Sequence, residues 1–120
     1  MKKKSYGCGL EAALDVVGGK WKVLILWALH AQGRRFGELR RAVPGISEKM
    51  LIQNLKGMEC DGIVTRQDFR EIPPRVEYAL TAFGVSLSAA LTPLCQWGEQ
   101  HMARIGAVKE SEDERHRSVA

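Results

Sequence analysis

The spacing of apolar residues along the chain predicts a mainly helical domain with one β-hairpin. Helical segments repeat apolar side chains every three to four residues, whereas residues 76–80 alternate apolar and polar positions as a half-buried strand does. Residues 20–30 are apolar on nearly all sides, which favours a helix at the centre of the core. The predicted elements are helix 9–17, helix 20–30, a very short strand at 34–36, helix 37–43, helix 48–60, strand 63–69, strand 76–80 and a last helix from 82 to about 105.

Residues with capping chemistry mark the ends of these helices. Ser47 can accept a hydrogen bond from the first turn of the fourth helix, and Ile46 and Leu51 are spaced as a hydrophobic staple around it. Gly62 ends that helix, and Thr81 caps the last one. The local chemistry therefore agrees with the periodicity on where these helices begin and end.

The two predicted strands are joined by a connection that is too long for a tight turn. Pro73 and Pro74 lie in it, and because proline has no N–H it cannot join a strand ladder. Arg70 and Arg75 flank the prolines. The pattern predicts a stiff, projecting hairpin tip with an arginine on either side, which is a wing.

The last helix would span about 37 Å at ~1.5 Å per residue, longer than a domain of this size can cover. Pro93 should kink or split it, because proline removes a helical hydrogen bond. Its apolar positions exceed what its own core can cover, so we expect a second copy of the chain to bury the excess. These positions are Phe83, Leu87, Leu91, Leu94, Cys95, Met102 and Ile105.

The order of elements indicates an α+β, mainly α fold class: a winged helix-turn-helix with a long C-terminal dimerisation helix. We expect three regions, which are a basic N-terminal arm at 1–8, a DNA-binding and dimerisation domain at 9–105, and a polar, flexible tail at 106–120.

The fourth helix is the natural recognition helix of such a fold. At 100° per residue, Leu51, Leu55 and Met58 face inward. The outward side chains suit a major groove, since lysine can meet phosphate or guanine, glutamine can pair with adenine, and isoleucine can touch a thymine methyl. The same positions would also serve as an ordinary solvated face. The outward residues are Lys49, Ile52, Gln53 and Lys56.

The charge distribution favours a polyanionic partner for the first two-thirds of the chain. The net charge is +4, and residues 1–80 carry 14 Lys or Arg against 9 Asp or Glu. The three lysines that follow Met1 precede no apolar core, and the longest apolar run, residues 23–29, is far shorter than a membrane span. We therefore expect a cytoplasmic protein that does not interact with membranes.

The chain resembles the HxlR-type transcription regulators, within the broader MarR-like winged-helix group. The resemblance covers about residues 8–98 and implies a homodimer, built from the first and last helices, that binds a palindromic operator. It also implies that Ser47, Lys49, Gln53, Lys56 and the wing residue Arg75 lie at the DNA. Departures are Gly57 and Cys60 in the recognition helix and Pro93 in the dimer helix. The matching segments are Cys8, Leu14–Lys22, Arg35–Leu39, Pro44–Leu51, Asp61–Val64, Pro73–Tyr78, Leu80-Thr81 and Trp97-Gly98.

Cys8 is the candidate sensor. A helix N-terminus and the nearby Lys2, Lys3 and Lys4 would stabilise its thiolate, the form that reacts with oxidants and electrophiles. In one branch of the resembling family, an equivalent cysteine senses oxidants or reactive carbonyls. The alternative is that Cys8 only packs at the dimer interface.

An enzyme, a cofactor and a metal site are not expected. Gly18-Gly19-Lys20 superficially resembles a phosphate loop, but Leu14 and Trp21 stand where glycine and Ser/Thr are required. Cysteine and histidine spacing matches neither a disulfide framework nor a zinc site. The remaining alternative is a winged helix used for protein interaction alone, although its recognition face would then be acidic or apolar rather than basic and polar.

The sequence thus predicts a sequence-specific DNA-binding transcriptional regulator, with repression as the expected outcome and Cys8 as the candidate redox or electrophile switch. Its expected partners are double-stranded DNA and a second copy of the chain. A small-molecule or oxidant effector stays open, because no residue pattern identifies one.

Overall fold

Residues 4–106, the part of the chain that this computed structural model describes, form five α-helices and a three-stranded sheet. The sequence predicted this α+β, mainly α class and the order of its elements. The elements are α1 (Gly9–Val17), α2 (Lys20–Leu29), β1 (Arg34–Arg35), α3 (Phe36–Ala42), α4 (Glu48–Cys60), β2 (Val64–Asp68), β3 (Val76–Leu80) and α5 (Ala82–Ile105).

Helix α2 lies at the centre of the core, as its all-round apolar pattern predicted. Ile25, Leu26 and Leu29 are buried, and Trp21 packs against them from one side. The other elements close around α2 with buried side chains from α3, the α3–α4 turn, α4 and the start of β2. These are Leu39, Val43, Ile46, Leu51, Leu55, Met58, Ile63 and Val64.

Helices α3 and α4 form the helix-turn-helix. The Arg35 N–H donates to Glu38 Oε1 at 2.8 Å, which anchors the first turn of α3. Ser47 Oγ accepts from the Met50 N–H at 3.1 Å, so the predicted N-cap of α4 is confirmed. Between the helices, Gly45 adopts a φ of 84°, a left-handed conformation that favours glycine.

The sheet has the order β1-β3-β2 with antiparallel pairing throughout. In the β2–β3 hairpin, Val64 pairs with Leu80 and Asp68 with Val76. The Phe69 N–H donates to the Arg75 carbonyl at 2.9 Å, which continues the ladder one step beyond the strands. The hairpin ends there in a five-residue tip, residues 70–74, at the position of the predicted wing.

Helix α5 is a single element, so the prediction that Pro93 would split it is wrong. Proline lacks one N–H, but Ala89, whose carbonyl loses that partner, is exposed and can be hydrated. The predicted cap is confirmed, because Thr81 Oγ1 accepts from the Gly84 N–H at 3.0 Å. The same hydroxyl lies 2.5 Å from the Gly62 carbonyl oxygen and 3.1 Å from that of Ile63, and so ties the helix start to the residues just before β2.

Several predicted boundaries were wrong by one residue. Helix α2 ends at Leu29 rather than His30, and Phe36 begins α3 instead of ending the short strand. Strand β2 starts after Ile63, because the Ile63 N–H donates to the Met58 carbonyl at 2.9 Å and completes the exit from α4. Such ends depend on the turn between elements, which apolar periodicity does not report.

The structure describes residues 4–8 of the predicted arm and, of the predicted tail, residue 106. Residues 1–3 of the arm and 107–120 of the tail are outside the described part of the chain. Among the helices of residues 4–106, none has the apolar length that a bilayer crossing requires.

Candidate nucleic-acid interface

Helix α4 presents a polar, basic face to solvent. Lys49, Gln53 and Lys56 are exposed, and Ile52 is 39% exposed beside them. Leu51, Leu55 and Met58 are buried on the opposite side, where they hold the helix on the core. The structure therefore brings the four outward residues of the prediction onto one accessible surface.

These side chains border an open depression along α4. Glu48 joins the four predicted residues at its rim. Two ammonium groups, an amide and an apolar side chain match the range of groups that a DNA major groove offers. Glu48 adds a hydrogen-bond acceptor, which could receive a cytosine amino group. Sequence reasoning did not single out Glu48, although its place in the first turn of α4 was visible from the Ser47 cap.

Ser47 caps the N-terminus of α4, the end at which Glu48 lies. Its hydroxyl oxygen accepts from the Met50 N–H, which stabilises the first helical turn. The residue is exposed, so the hydroxyl can still donate its own proton outward. Its predicted place at the DNA is compatible with this cap.

The two wing arginines differ in their surroundings. Arg70 is exposed, and its backbone N–H donates to Asp68 Oδ1 at 2.8 Å. The Arg75 guanidinium lies 3.7 Å from the centre of the Phe69 ring. It also pairs with Glu71 Oε2 at 3.3 Å and Glu77 Oε2 at 3.7 Å. Arg70 thus points its charge to solvent, whereas Arg75 is held within the wing.

The structure adds cations that the sequence reading missed. Arg41 on α3 and Arg66 on β2 are exposed. In helix-turn-helix proteins the first helix of the motif crosses the DNA backbone, which gives the α3 arginine a place near phosphate. Its position in the last turn of α3 could have been found from the helical period.

The segment before α1 is anchored through Asp15. Lys4 Nζ lies 3.0 Å from Asp15 Oδ2, and the Tyr6 hydroxyl donates to the same oxygen. These two donors, Tyr6 first, lower the pKa of the Asp15 carboxyl from its usual value. In return, Asp15 raises the pKa of the Lys4 ammonium and of the Tyr6 phenol by hydrogen bonding. Lys4 is therefore engaged with Asp15.

Cys8 occupies the N-cap position of α1 and is exposed. Lys2 and Lys3, the other lysines that the sequence places near it, lie outside the described residues. Cys60, at the end of α4, is also exposed, whereas Cys95 on α5 is half-buried.

Helices α1 and α5 leave much apolar surface uncovered. In α1, Leu10 is 69% and Leu14 60% exposed, and none of its residues 9–17 is buried. Along α5, only Gly84 and Ser88 are buried among its 24 residues. Its exposed apolar side chains are Phe83, Val85, Leu94, Trp97 and Ile105.

Comparison with known proteins agrees with this architecture. The HxlR-like helix-turn-helix family matches residues 16–105. The uncharacterized HTH-type transcriptional regulator YtcD of Bacillus subtilis (strain 168) is 45% identical over 105 residues, which are 88% of this chain and 83% of YtcD.

Two solved structures illustrate the similarity in fold. The redox regulator HypR in its oxidized form has a TM-score of 0.73 and 42% identity, over 78% of this chain and 96% of HypR. A Porphyromonas gingivalis W83 protein assigned to the MarR family has a TM-score of 0.74 and 36% identity, over 82% of this chain and 97% of its own.

The match extends through α2, the helix-turn-helix, the wing and α5, and the relatives it identifies are regulators rather than enzymes. The chain belongs to the HxlR-like helix-turn-helix family and is a winged-helix transcriptional regulator of the MarR-like type.

Proposed function

We propose that this regulator binds duplex DNA sequence-specifically, as a homodimer on a palindromic operator, and represses transcription there. The observation that carries the proposal is the outward face of α4, where Lys49, Ile52, Gln53 and Lys56 are accessible together on a helix that the core holds rigidly. The expected partner is duplex DNA, and the expected location of the protein is the cytoplasm. A module built only for protein interaction would not need this basic, polar face.

Each outward side chain has a distinct role in the proposal. Lys49 and Lys56 supply charge to phosphate or guanine, Gln53 pairs with adenine in two hydrogen bonds, and Ile52 contacts a thymine methyl. Ser47 donates its hydroxyl proton to a phosphate while its oxygen caps α4. Arg70 adds charge from the exposed wing tip.

The dimer is supported by the uncovered surfaces of α1 and α5. Leu14, Leu94 and Trp97 are each more than half exposed, so in a monomer these apolar side chains would contact water. Exposed apolar side chains of this number favour burial against a second copy. Two-fold pairing would set two copies of α4 about 34–36 Å apart, one turn of DNA.

The test is selection of bound sequences from random duplexes, followed by sedimentation of the complex. We expect recovery of an inverted repeat and a stoichiometry of two chains per duplex. Selection of unrelated sequences, or one chain per site, would contradict the proposal. Failure to bind any duplex at 0.1 M salt would instead favour the protein-interaction alternative.

A second proposal is that Cys8 makes DNA binding sensitive to oxidants. Cys8 is exposed at the start of α1, one of the two helices of the proposed dimer surface, so a change there can alter the pairing. The similar structure of HypR is that of a redox regulator. In the proposed step the Cys8 thiolate attacks one oxygen of hydrogen peroxide and an S–O bond forms as the O–O bond breaks. Hydroxide is the leaving group, and the cysteine becomes a sulfenic acid.

We expect micromolar hydrogen peroxide to change the operator affinity of the native chain by about 10-fold or more, and to leave Cys8→Ser unchanged. Fluorescence anisotropy before and after a reductant measures this. Cys60→Ser is the matched control, because Cys60 is also exposed but lies at the end of α4. An equal response of the native chain and Cys8→Ser would end the Cys8 proposal.

A further inference from the structure

Helix α1 is attached to the domain with little apolar burial. It has nine residues, none of them buried, and Leu10 and Leu14 on one side are more than half exposed. A helix of this length is marginal on its own, because few hydrogen bonds offset the cost of forming its first turn. Contacts with neighbouring segments are therefore needed to fix its position.

The apolar contacts that α1 does make lie at its C-terminal end. Val16 packs against the core, and Val16 and Val17 line a small cavity together with Met58, from the last turn of α4, and Ile63, just beyond that helix. We call this place the α1–α4 junction. A void deprives the groups that line it of packing contacts, so apolar packing alone fixes the junction loosely.

The N-terminal strap, which we define as residues 4–8, supplies polar contacts to α1. Lys4 Nζ lies 3.0 Å from Asp15 Oδ2, and the Tyr6 hydroxyl donates to the same carboxylate oxygen. Asp15 precedes Val16, so both contacts lie at the end of α1 that borders the junction. One carboxylate therefore holds two residues of the strap.

A further contact attaches the strap near the start of α1. Cys8, the N-cap residue, makes no side-chain cap hydrogen bond. The Gly7 N–H donates instead to Glu11 Oε2 at 3.2 Å. The strap is thus attached at both ends of the helix, and its chain lies along the helix between Asp15 and the N-cap.

Lys4 also connects the strap electrostatically to the end of α4. Asp15 causes most of the rise in the pKa of the Lys4 ammonium, by hydrogen bonding and by charge, and Asp61 adds a smaller rise. Asp61 directly follows Cys60, the last residue of α4. The Lys4 ammonium is therefore attracted by carboxylates from both sides of the α1–α4 junction.

These polar contacts affect geometry more than overall stability. The Lys4 and Asp15 side chains are 59% and 46% exposed, and exposed ion pairs stabilise a fold little because water screens them. A loosely packed junction, however, shifts at small cost unless something restrains it. Operator binding is sensitive to such a shift, because a dimer that pairs through α1 and reads DNA through α4 converts the angle between these helices into the separation of its two recognition faces.

We propose that Asp15 is a positioning residue: by attaching the N-terminal strap to α1, it holds α1 in one orientation to α4 and so sets the half-site separation that the dimer accepts. Asp15 itself does not touch DNA. The inference rests on the proposed homodimer and its palindromic operator. When the strap is released, α1 and α4 move relative to each other, and the dimer binds other separations at the expense of the correct one.

The experiment compares the native chain with Asp15→Ala on the selected operator, on operators with base pairs inserted or removed between the half-sites, and on a single half-site. Fluorescence anisotropy reports affinity, at protein concentrations where sedimentation shows the dimer. We expect Asp15→Ala to bind the selected operator about 3- to 10-fold more weakly and to lose a similar factor of preference for its separation. Binding to the single half-site should not weaken.

Charge and helix propensity both act against this result, which makes it specific. Removing Asp15 makes each chain more positive, and alanine favours helix over aspartate, so neither change by itself weakens DNA binding. Tyr6→Phe removes one donor to Asp15 and should show the same effect to a smaller extent. Glu11→Gln is the matched control, because it removes a charge from the same helix while its amide oxygen still accepts from the Gly7 N–H. It should keep the native affinity and separation preference.

Hydrogen exchange of the protein without DNA tests the positioning independently. We expect the amides of α1 to exchange about 10-fold faster in Asp15→Ala than in the native chain, because local opening of α1 is no longer opposed by the strap. The amides of α2, which lies at the centre of the core, should keep their native rates.

The outcomes separate this inference from the proposed function. Native affinity and native separation preference in Asp15→Ala would overturn the inference and leave DNA binding by α4 intact. A loss of affinity that is equal on all duplexes, the single half-site included, would overturn it as well. If the native chain bound no duplex, the proposed function would fail. Faster exchange in Asp15→Ala would then still show that Asp15 holds α1, and equal exchange would overturn that role too.

Discussion

Replacing Lys49 and Lys56 together with alanine should lower operator affinity by about 100- to 1000-fold at ~0.1 M salt. Both ammonium groups are exposed on the outward face of α4, and a dimer would lose four of them. At about 1 kcal/mol or less for each contact, the loss amounts to roughly 3–4 kcal/mol. The slope of log affinity against log salt should fall by about 3–4, since each phosphate contact releases roughly 0.9 counterion.

Two further variants make this measurement specific. Gln53→Ala should leave the salt slope unchanged and relax discrimination at one base pair of each half-site, because an amide reads a base edge and carries no charge. Arg104→Ala, in the last turn of α5, removes a cation about 33 Å along that helix from its first residue, Ala82, and should change neither quantity. A double lysine variant that kept the native slope would show that α4 does not face phosphate.

Replacing Gly84 with alanine should destabilise the fold by about 3 kcal/mol or more. A Cβ added there would lie 2.2 Å from the Ile63 carbonyl oxygen, far inside contact distance. That carbonyl cannot retreat easily, because it accepts from the Thr81 N–H at 3.0 Å. Relief requires α5 to move away from Ile63, at a cost in the upper range for overpacking.

The measurement is thermal unfolding at fixed protein concentration. For a domain of this size, about 3 kcal/mol corresponds to a fall in Tm of roughly 12–20 °C. Gly57→Ala is the matched control, because a Cβ at this position in the last turn of α4 would meet nothing within 4 Å. It should hold or raise the Tm, since alanine favours helix over glycine by up to about 1 kcal/mol. Equal Tm values for the two variants would contradict the close approach of α5 to Ile63.

Most of the secondary structure could be predicted because its signals are local. The 3.6-residue period identified α1, α4 and α5, the run of residues that are apolar on nearly all sides identified α2, and the Ser47 and Thr81 caps identified two helix starts. The same period separated the buried and outward faces of α4. When a helix packs on the core by one side only, the position of a residue in the helical turn determines whether its side chain points to the core or to solvent.

Predictions that depended on neighbouring elements were less reliable. Pro93 was expected to kink or split the last helix, yet α5 is not split there, since Ala89, whose carbonyl loses its partner, is exposed and can be hydrated. The sequence places Arg70 and Arg75 on either side of the prolines and does not indicate how their surroundings differ. Their surroundings differ because Phe69, Glu71 and Glu77 converge on Arg75 alone once the hairpin forms.

The sequence by itself determined the order of the elements, the caps, and the residues that α4 turns to solvent, because these depend on interactions within one or two helical turns. The tertiary structure decided how closely α5 approaches Ile63, which apolar surfaces of α1 and α5 remain uncovered, and which wing arginine is held inside the hairpin. Those features depend on distances between elements far apart in the chain or across a turn. Such distances follow from the packing of the whole domain, and no local pattern of residues encodes them.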